Sequence, residues 1–143
     1  MGKRKRREQR PFNPRALQKF AVPELYPRVG SGSPVYRYTV VVPFEQLRPT
    51  KKPKATLQDL EELEQLLIRD FAGLATPPSC PGYGLRDPGQ PHDKPEMNYN
   101  AYYVVYAAPI RESDHYFRAL QIEVQEALAE GVILIERQEV YLV

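Results

Sequence analysis

The 143-residue sequence holds one cysteine, two histidines, two methionines and no tryptophan, and it contains no long apolar run. Each scarcity removes a class of chemistry. Cys80 alone cannot close an intramolecular disulfide, and without a second thiol it builds no zinc knuckle, so neither redox chemistry nor structural zinc is expected. His92 stands beside Asp93 and His115 beside Asp114, but neighbouring side chains in a loop or helix point apart, so neither pair makes a dyad. No HxH, HExxH or paired-cysteine spacing occurs, and no metal site or catalytic residue is assigned. There is no Walker lysine and no strand-to-helix GxGxxG, and no cofactor is expected. Crossing a bilayer takes about 18 to 20 consecutive apolar residues, which the chain never approaches. Its basic N-terminus leads into proline, asparagine and charged residues instead of an apolar signal core. A cytoplasmic protein with no membrane partner is the expectation.

What the chain does have is charge of unequal distribution. The whole carries +2, yet positions 1–30 hold nine basic residues against Glu8 and Glu24, a local net charge of +7, which leaves −5 for the remainder. Lys3, Arg4, Lys5, Arg6, Arg7 and Arg10 form the dense part of this run. Cations beside phosphates release condensed counterions and gain affinity without reading sequence, so these six residues are the candidate nucleic-acid or polyanion contacts. The competing reading is that the run only solvates a terminus or associates loosely with the acidic remainder.

Residues 1–34 show no sustained hydrophobic period and are punctuated by prolines, ending in Gly30-Ser31-Gly32-Ser33-Pro34. Such a segment does not offset its ordering entropy by burial, and a basic, Pro-rich, disordered tail is expected there. A short helical turn over Arg15 to Phe20 is compatible with it, and Phe12, Leu17, Phe20, Val22, Leu25 and Tyr26 are available to dock on the domain or on a partner.

From Val35 to Val143 the pattern is that of one α+β domain. VYRYTVVVP is β-branched and aromatic, with Tyr36, Tyr38, Val40 and Val42 on one face of a strand that Pro43 ends. Leu57, Leu60, Leu63, Leu67, Ile68 and Phe71 recur at helical spacing, with Thr56 as N-cap and Gly73 as C′ residue. Residues 75–98 are a Pro/Gly-rich loop, so a second strand is short and at an edge, near Leu74 to Thr76 or Tyr83 to Arg86. NAYYVVYAAPI is apolar on both faces and therefore a central strand. A second helix follows, capped by Ser113 or Asp114, with Phe117, Leu120, Val124 and Leu128 as its stripe and Gly131 as its stop. VILIERQEVYLV closes the chain as a strand, with a bulge or tight turn at its polar centre. The order strand, helix, weak strand, strong strand, helix, strand predicts a ferredoxin-like β-α-β-β-α-β sandwich: an antiparallel sheet, first and third strands central, two helices on one face. The alternative is a three-stranded sheet whose second strand is absorbed into a loop.

With its FAGLATPP phrase after the Leu-rich helix, its Gly-containing middle and its closing AEGVILIERQEVYLV, the chain resembles a diffuse set of small bacterial, phage and plasmid proteins of unknown function. The resemblance covers roughly 35–143 and implies a fold without an activity. In topology the chain also resembles the RNA-recognition motif, whose central strands stack bases on aromatic residues. Tyr103, Val104 and Tyr106 match the end of that motif's signature, but its basic and glycine positions are missing and VYRYTV is a poor counterpart for the other strand motif.

Two further features are candidate contacts. Gly82-Tyr83-Gly84 with Arg86 and His92 places Tyr83, Arg86 and His92 where a stiff middle loop presents them to a ligand or partner, since a loop of this length in a compact domain is uncommon unless functional or mobile. Tyr102 and Tyr106, with Arg37 and Thr39 opposite, suit an outer sheet face used for stacking or for self-association as a homodimer. The leading reading is a non-enzymatic binding module with a basic arm. The alternatives are a structural or assembly subunit of a larger complex and a small-molecule-binding or enzymatic dimer with its site at the middle loop.

Overall fold

The computed structural model describes residues 10–27, 32–44, 57–73, 80–85, 95–128 and 133–143. Its elements in chain order are two 3₁₀ segments, Pro14–Phe20 and Pro23–Leu25, then β1 (Pro34–Phe44), α1 (Leu57–Phe71), β2 (Cys80–Leu85), β3 (Pro95–Ala107), α2 (Arg111–Leu128) and β4 (Leu134–Tyr141). This is an α+β fold. The sheet is antiparallel at every described pairing and runs β2-β3-β1-β4, so β1 and β3 are central. Among the described residues no helix is long and apolar enough to cross a membrane.

Alternation along the central strands decides which face is buried. Tyr38, Val40 and Val42 of β1 lie across from Val105, Tyr103 and Ala101 of β3, and all six are buried in one cluster. Onto that face α1 brings Leu60, Leu63, Leu67 and Phe71, while α2 brings Tyr116, Phe117, Leu120 and Val124. The aromatic centre is ordered: Tyr38 stacks on Phe117 at 3.8 Å between centroids, and Phe71 meets Tyr116 edge-on at 4.8 Å.

The largest departure from the sequence reading is at the N-terminus. The stretch from Arg10 to Pro27, expected within a disordered tail outside a domain starting at 35, packs into the core through Phe12, Leu17 and Leu25. Asn13 caps the first 3₁₀ segment by accepting from the Arg15 amide at 3.1 Å, and the Ala108 amide donates to the Leu25 carbonyl at 2.9 Å. Single apolar residues separated by prolines leave no periodic trace, yet each finds a slot on the helical layer. Residues 1–9 lie outside the described residues.

Smaller differences have local causes. Pro43 does not end β1: it pairs with Asn100, while β4 pairing stops at Val41, so its missing N–H faces no ladder. The expected short edge strand is Cys80–Leu85, starting three residues ahead of the Tyr83 to Arg86 position and laddered onto Pro95 to Asn100, so part of the 75–98 loop is strand. As an edge strand β2 tolerates proline and glycine. β4 runs in unbroken register from Leu134 to Tyr141, without the expected bulge, because a polar centre is natural to an exposed edge. Helix α2 starts at Arg111, so neither Ser113 nor Asp114 precedes it. Ser113 is inside the first turn and its hydroxyl donates to the Ala108 carbonyl at 2.6 Å. The positions of Thr56 and Gly131, and the Leu74 to Thr76 strand, lie outside the described residues.

After α1 the left-handed residue is Ala72, at φ 62°, ahead of the expected Gly73. A Cβ in this conformation costs about 1 kcal/mol, partly recovered through the less flexible unfolded chain. Ala72→Gly is therefore expected to raise stability by about 0.5 kcal/mol, read as a higher urea midpoint at unchanged slope.

Candidate functional site

Buried tyrosines need partners for their hydroxyls, and the helices supply carboxylates. Tyr38 on β1 donates to Asp114 of α2 at 2.7 Å, Tyr103 on β3 to Glu64 of α1 at 3.0 Å, and Tyr116 of α2 to Asp70 of α1 at 2.6 Å. Arg137 of β4 reaches the second oxygen of Asp114 and lies over the Tyr36 ring at 4.4 Å, while Arg69 pairs with Asp70 at 2.9 Å. Burial first, and then the bond to a carboxylate, pushes all three phenols above their ordinary value. These hydroxyls stay protonated at neutral pH and act as structural donors. Asp114 is likewise occupied by Tyr38 and Arg137, which leaves it no part in a dyad with the exposed His115. Among the described residues no buried side-chain polar atom lacks a partner, and no group of three metal-binding side chains lies together.

The N-terminal arm is held by a buried carboxylate. Glu123 of α2, 7% exposed, accepts from Arg10 Nη1 and Nη2 at 2.6 and 2.8 Å and from the Asn13 amide at 3.0 Å. Arg10 also donates its amide to the Ala127 carbonyl at 3.0 Å and reaches Glu126 at 3.5 Å. The bond to Glu123 raises the Arg10 guanidinium above its already high value. Arg10, grouped by sequence with the phosphate contacts, is thus an anchor: its fork is engaged bidentately by Glu123. Nothing local marks Glu123 as this hub; its only signal is an acid between Leu120 and Val124 on the buried side of α2. Lys3, Arg4, Lys5, Arg6 and Arg7 lie outside the described residues.

Two surfaces are open. A groove of about 1150 Å³ runs beside the Pro23–Leu25 segment, walled by Tyr26, Pro34, Pro109 and Ile110 and edged by Glu24 and Glu112. None of the described residues lining it belongs to the middle loop. Of the loop candidates, Tyr83 has its backbone in β2 opposite Met97, and its side chain, with Arg86 and His92, lies outside the described residues.

The second surface is the sheet face turned away from the helices. Its register forms rows across three strands. Tyr106, Arg37 and Gln138 make the first, Val104, Thr39 and Glu136 the second, and Tyr102, Val41 and Leu134 the third. Tyr106 is 40% exposed and Leu134 56%, while Tyr102, Val104 and Val41 are half-buried. Val35, on the same alternation, is buried outside the helix-side cluster, so the open area runs from Arg37 upward. The sequence reading set Arg37 and Thr39 against Tyr102 or Tyr106; the register pairs Arg37 with Tyr106 and Thr39 with Val104.

Replacing Glu123 with Gln should free the arm. The loss is about 1 to 2 kcal/mol, because two charge-assisted bonds go but Arg10 is partly solvated, and the matching observation is faster protease cleavage between Arg10 and Pro27. A second consequence concerns alkali. The folded phenols ionise above the ordinary tyrosine value near 10, so their contribution is complete below that pH and is lost as pH climbs past it and the unfolded phenols ionise first. Urea midpoints are expected to stay level to about pH 9.5 and then fall, and Tyr116→Phe should make that fall shallower.

The chain matches no protein-family model, no curated protein and no solved structure.

Proposed function

We propose that this protein is a non-enzymatic binding module: a ferredoxin-like body carrying a basic arm that contacts nucleic acid or another polyanion. The body reading is supported by the element order β-α-β-β-α-β together with a sheet order of β2-β3-β1-β4, in which the strands joined through each helix are separated by a third. The functional reading rests on a single observation, the clamp of Glu123 on Arg10. It fixes Arg10 on the body, and Lys3 to Arg7 all fall within seven residues of that anchor, a covalent reach of at most about 25 Å. A polyanion held by this run is therefore kept against the α2 end of the body, and the remainder's negative charge keeps the two tasks apart.

Because the clamp is at Arg10 and the core begins at Phe12, removal of residues 1–9 leaves Phe12, Leu17, Leu25 and the clamp in place. Fluorescence anisotropy with a duplex oligonucleotide across a salt series tests the arm. Five phosphate contacts give a slope of log affinity on log salt of about −4 to −5, and the truncated chain should flatten it towards zero. An unchanged slope after truncation would remove the arm from the reading.

A further inference from the structure

We propose that the open sheet face is where two copies of this chain pair, face to face about a two-fold axis. The three rows are apolar at their centre and neutral in sum, since Arg37 and Glu136 are their charges. Apolar rows without an excess of positive charge make a poor polyanion site but a good protein interface. Its two charges are placed for self-complementarity. Glu136 lies across from Thr39, so it is one strand over and two residues along from Arg37, a backbone separation of about 8 Å.

An isologous contact requires that if one residue meets another, the second meets the first. An axis lying between the two sheets and passing midway between Arg37 and Glu136 sets each over its opposite in the second copy, making two identical ion pairs. With the strand and residue spacings of a sheet, the same rotation carries Tyr106 over Leu134 of the second copy and leaves Val104 beside its own counterpart. The two most exposed large apolar side chains of the face thus cover each other. Pairing through the β4 edge is opposed by the run Glu136-Arg137-Gln138-Glu139 along that strand. The inference stands apart from the polyanion reading, because Arg10 is anchored on α2, in the layer on the other side of the sheet.

Sedimentation velocity of the full chain and its charge variants tests it, with circular dichroism melts to confirm folding. The wild type is expected to dimerise. R37E and E136R should each weaken the dimer about tenfold or more by setting like charges together at both symmetric contacts, and R37E/E136R should restore it. Val104→Asp, at the axis, should give a folded monomer. A wild type that stays monomeric at about 0.1 mM overturns the proposal, as does a double variant no tighter than either single one. Protection of Tyr106 by a single-stranded oligonucleotide in such a monomer would assign the face to nucleic acid instead. Removal of residues 1–9 leaves the dimer intact if only the arm binds polyanion, so failure of one reading does not carry the other with it.

Discussion

Three buried tyrosine hydroxyls, each donating to a helix carboxylate, set the arrangement of this molecule. A phenol packed into an apolar interface gains from its ring but leaves a donor that is costly to strand. Tyr38 ties β1 to α2, Tyr103 ties β3 to α1, and Tyr116 ties α2 to α1. Each tie joins a different pair among two central strands and two helices, so a slip of either helix along the sheet breaks a buried charge-assisted bond as well as the packing. Hydrophobic burial is indifferent to small displacements; these bonds are directional and are not. The stacked and edge-on contacts among Tyr38, Phe117, Phe71 and Tyr116 link two of these ties, those of Tyr38 and Tyr116.

The N-terminal arm applies the same device on α2. Glu123 is buried and would be costly without partners; the guanidinium of Arg10 and the amide of Asn13 supply them. The consequence is that Leu17 and Leu25 are completely buried in the same core as the sheet and helices. The arm packs against the helices and the sheet covers their inner side, which leaves the sheet face turned away from them open. That division of sides is what allows an arm task and a sheet-face task to be considered separately.

The helices and central strands were legible because their signals are local and periodic. Leu60, Leu63, Leu67 and Phe71 mark one helical face, and the alternation through Val40 and Val42 marks one sheet face, without reference to any distant residue. The candidate site was much less so. Arg10 reads as one more cation of a basic run, and only its contact with a carboxylate more than a hundred residues away turns it into an anchor. Ser113 looks like a helix cap until the chain ahead of it is seen to enter the helix two residues earlier. Tyr102 and Tyr103 are adjacent and chemically identical, yet one faces the open side of the sheet and the other is buried against α1.

By itself, the amino-acid order determined the class of the fold, the succession of its elements, and the separation of a basic beginning from an acidic remainder, since hydrophobic period and charge count are properties of short stretches. Only the tertiary structure decided where the domain begins and what Arg10 and the tyrosines do. Those outcomes depend on which carboxylate faces which donor: Glu123 toward Arg10, Asp114, Glu64 and Asp70 toward three phenols. Pairings between elements distant in sequence leave no local pattern, because either partner alone is an ordinary polar residue on a helix or an ordinary aromatic in a strand.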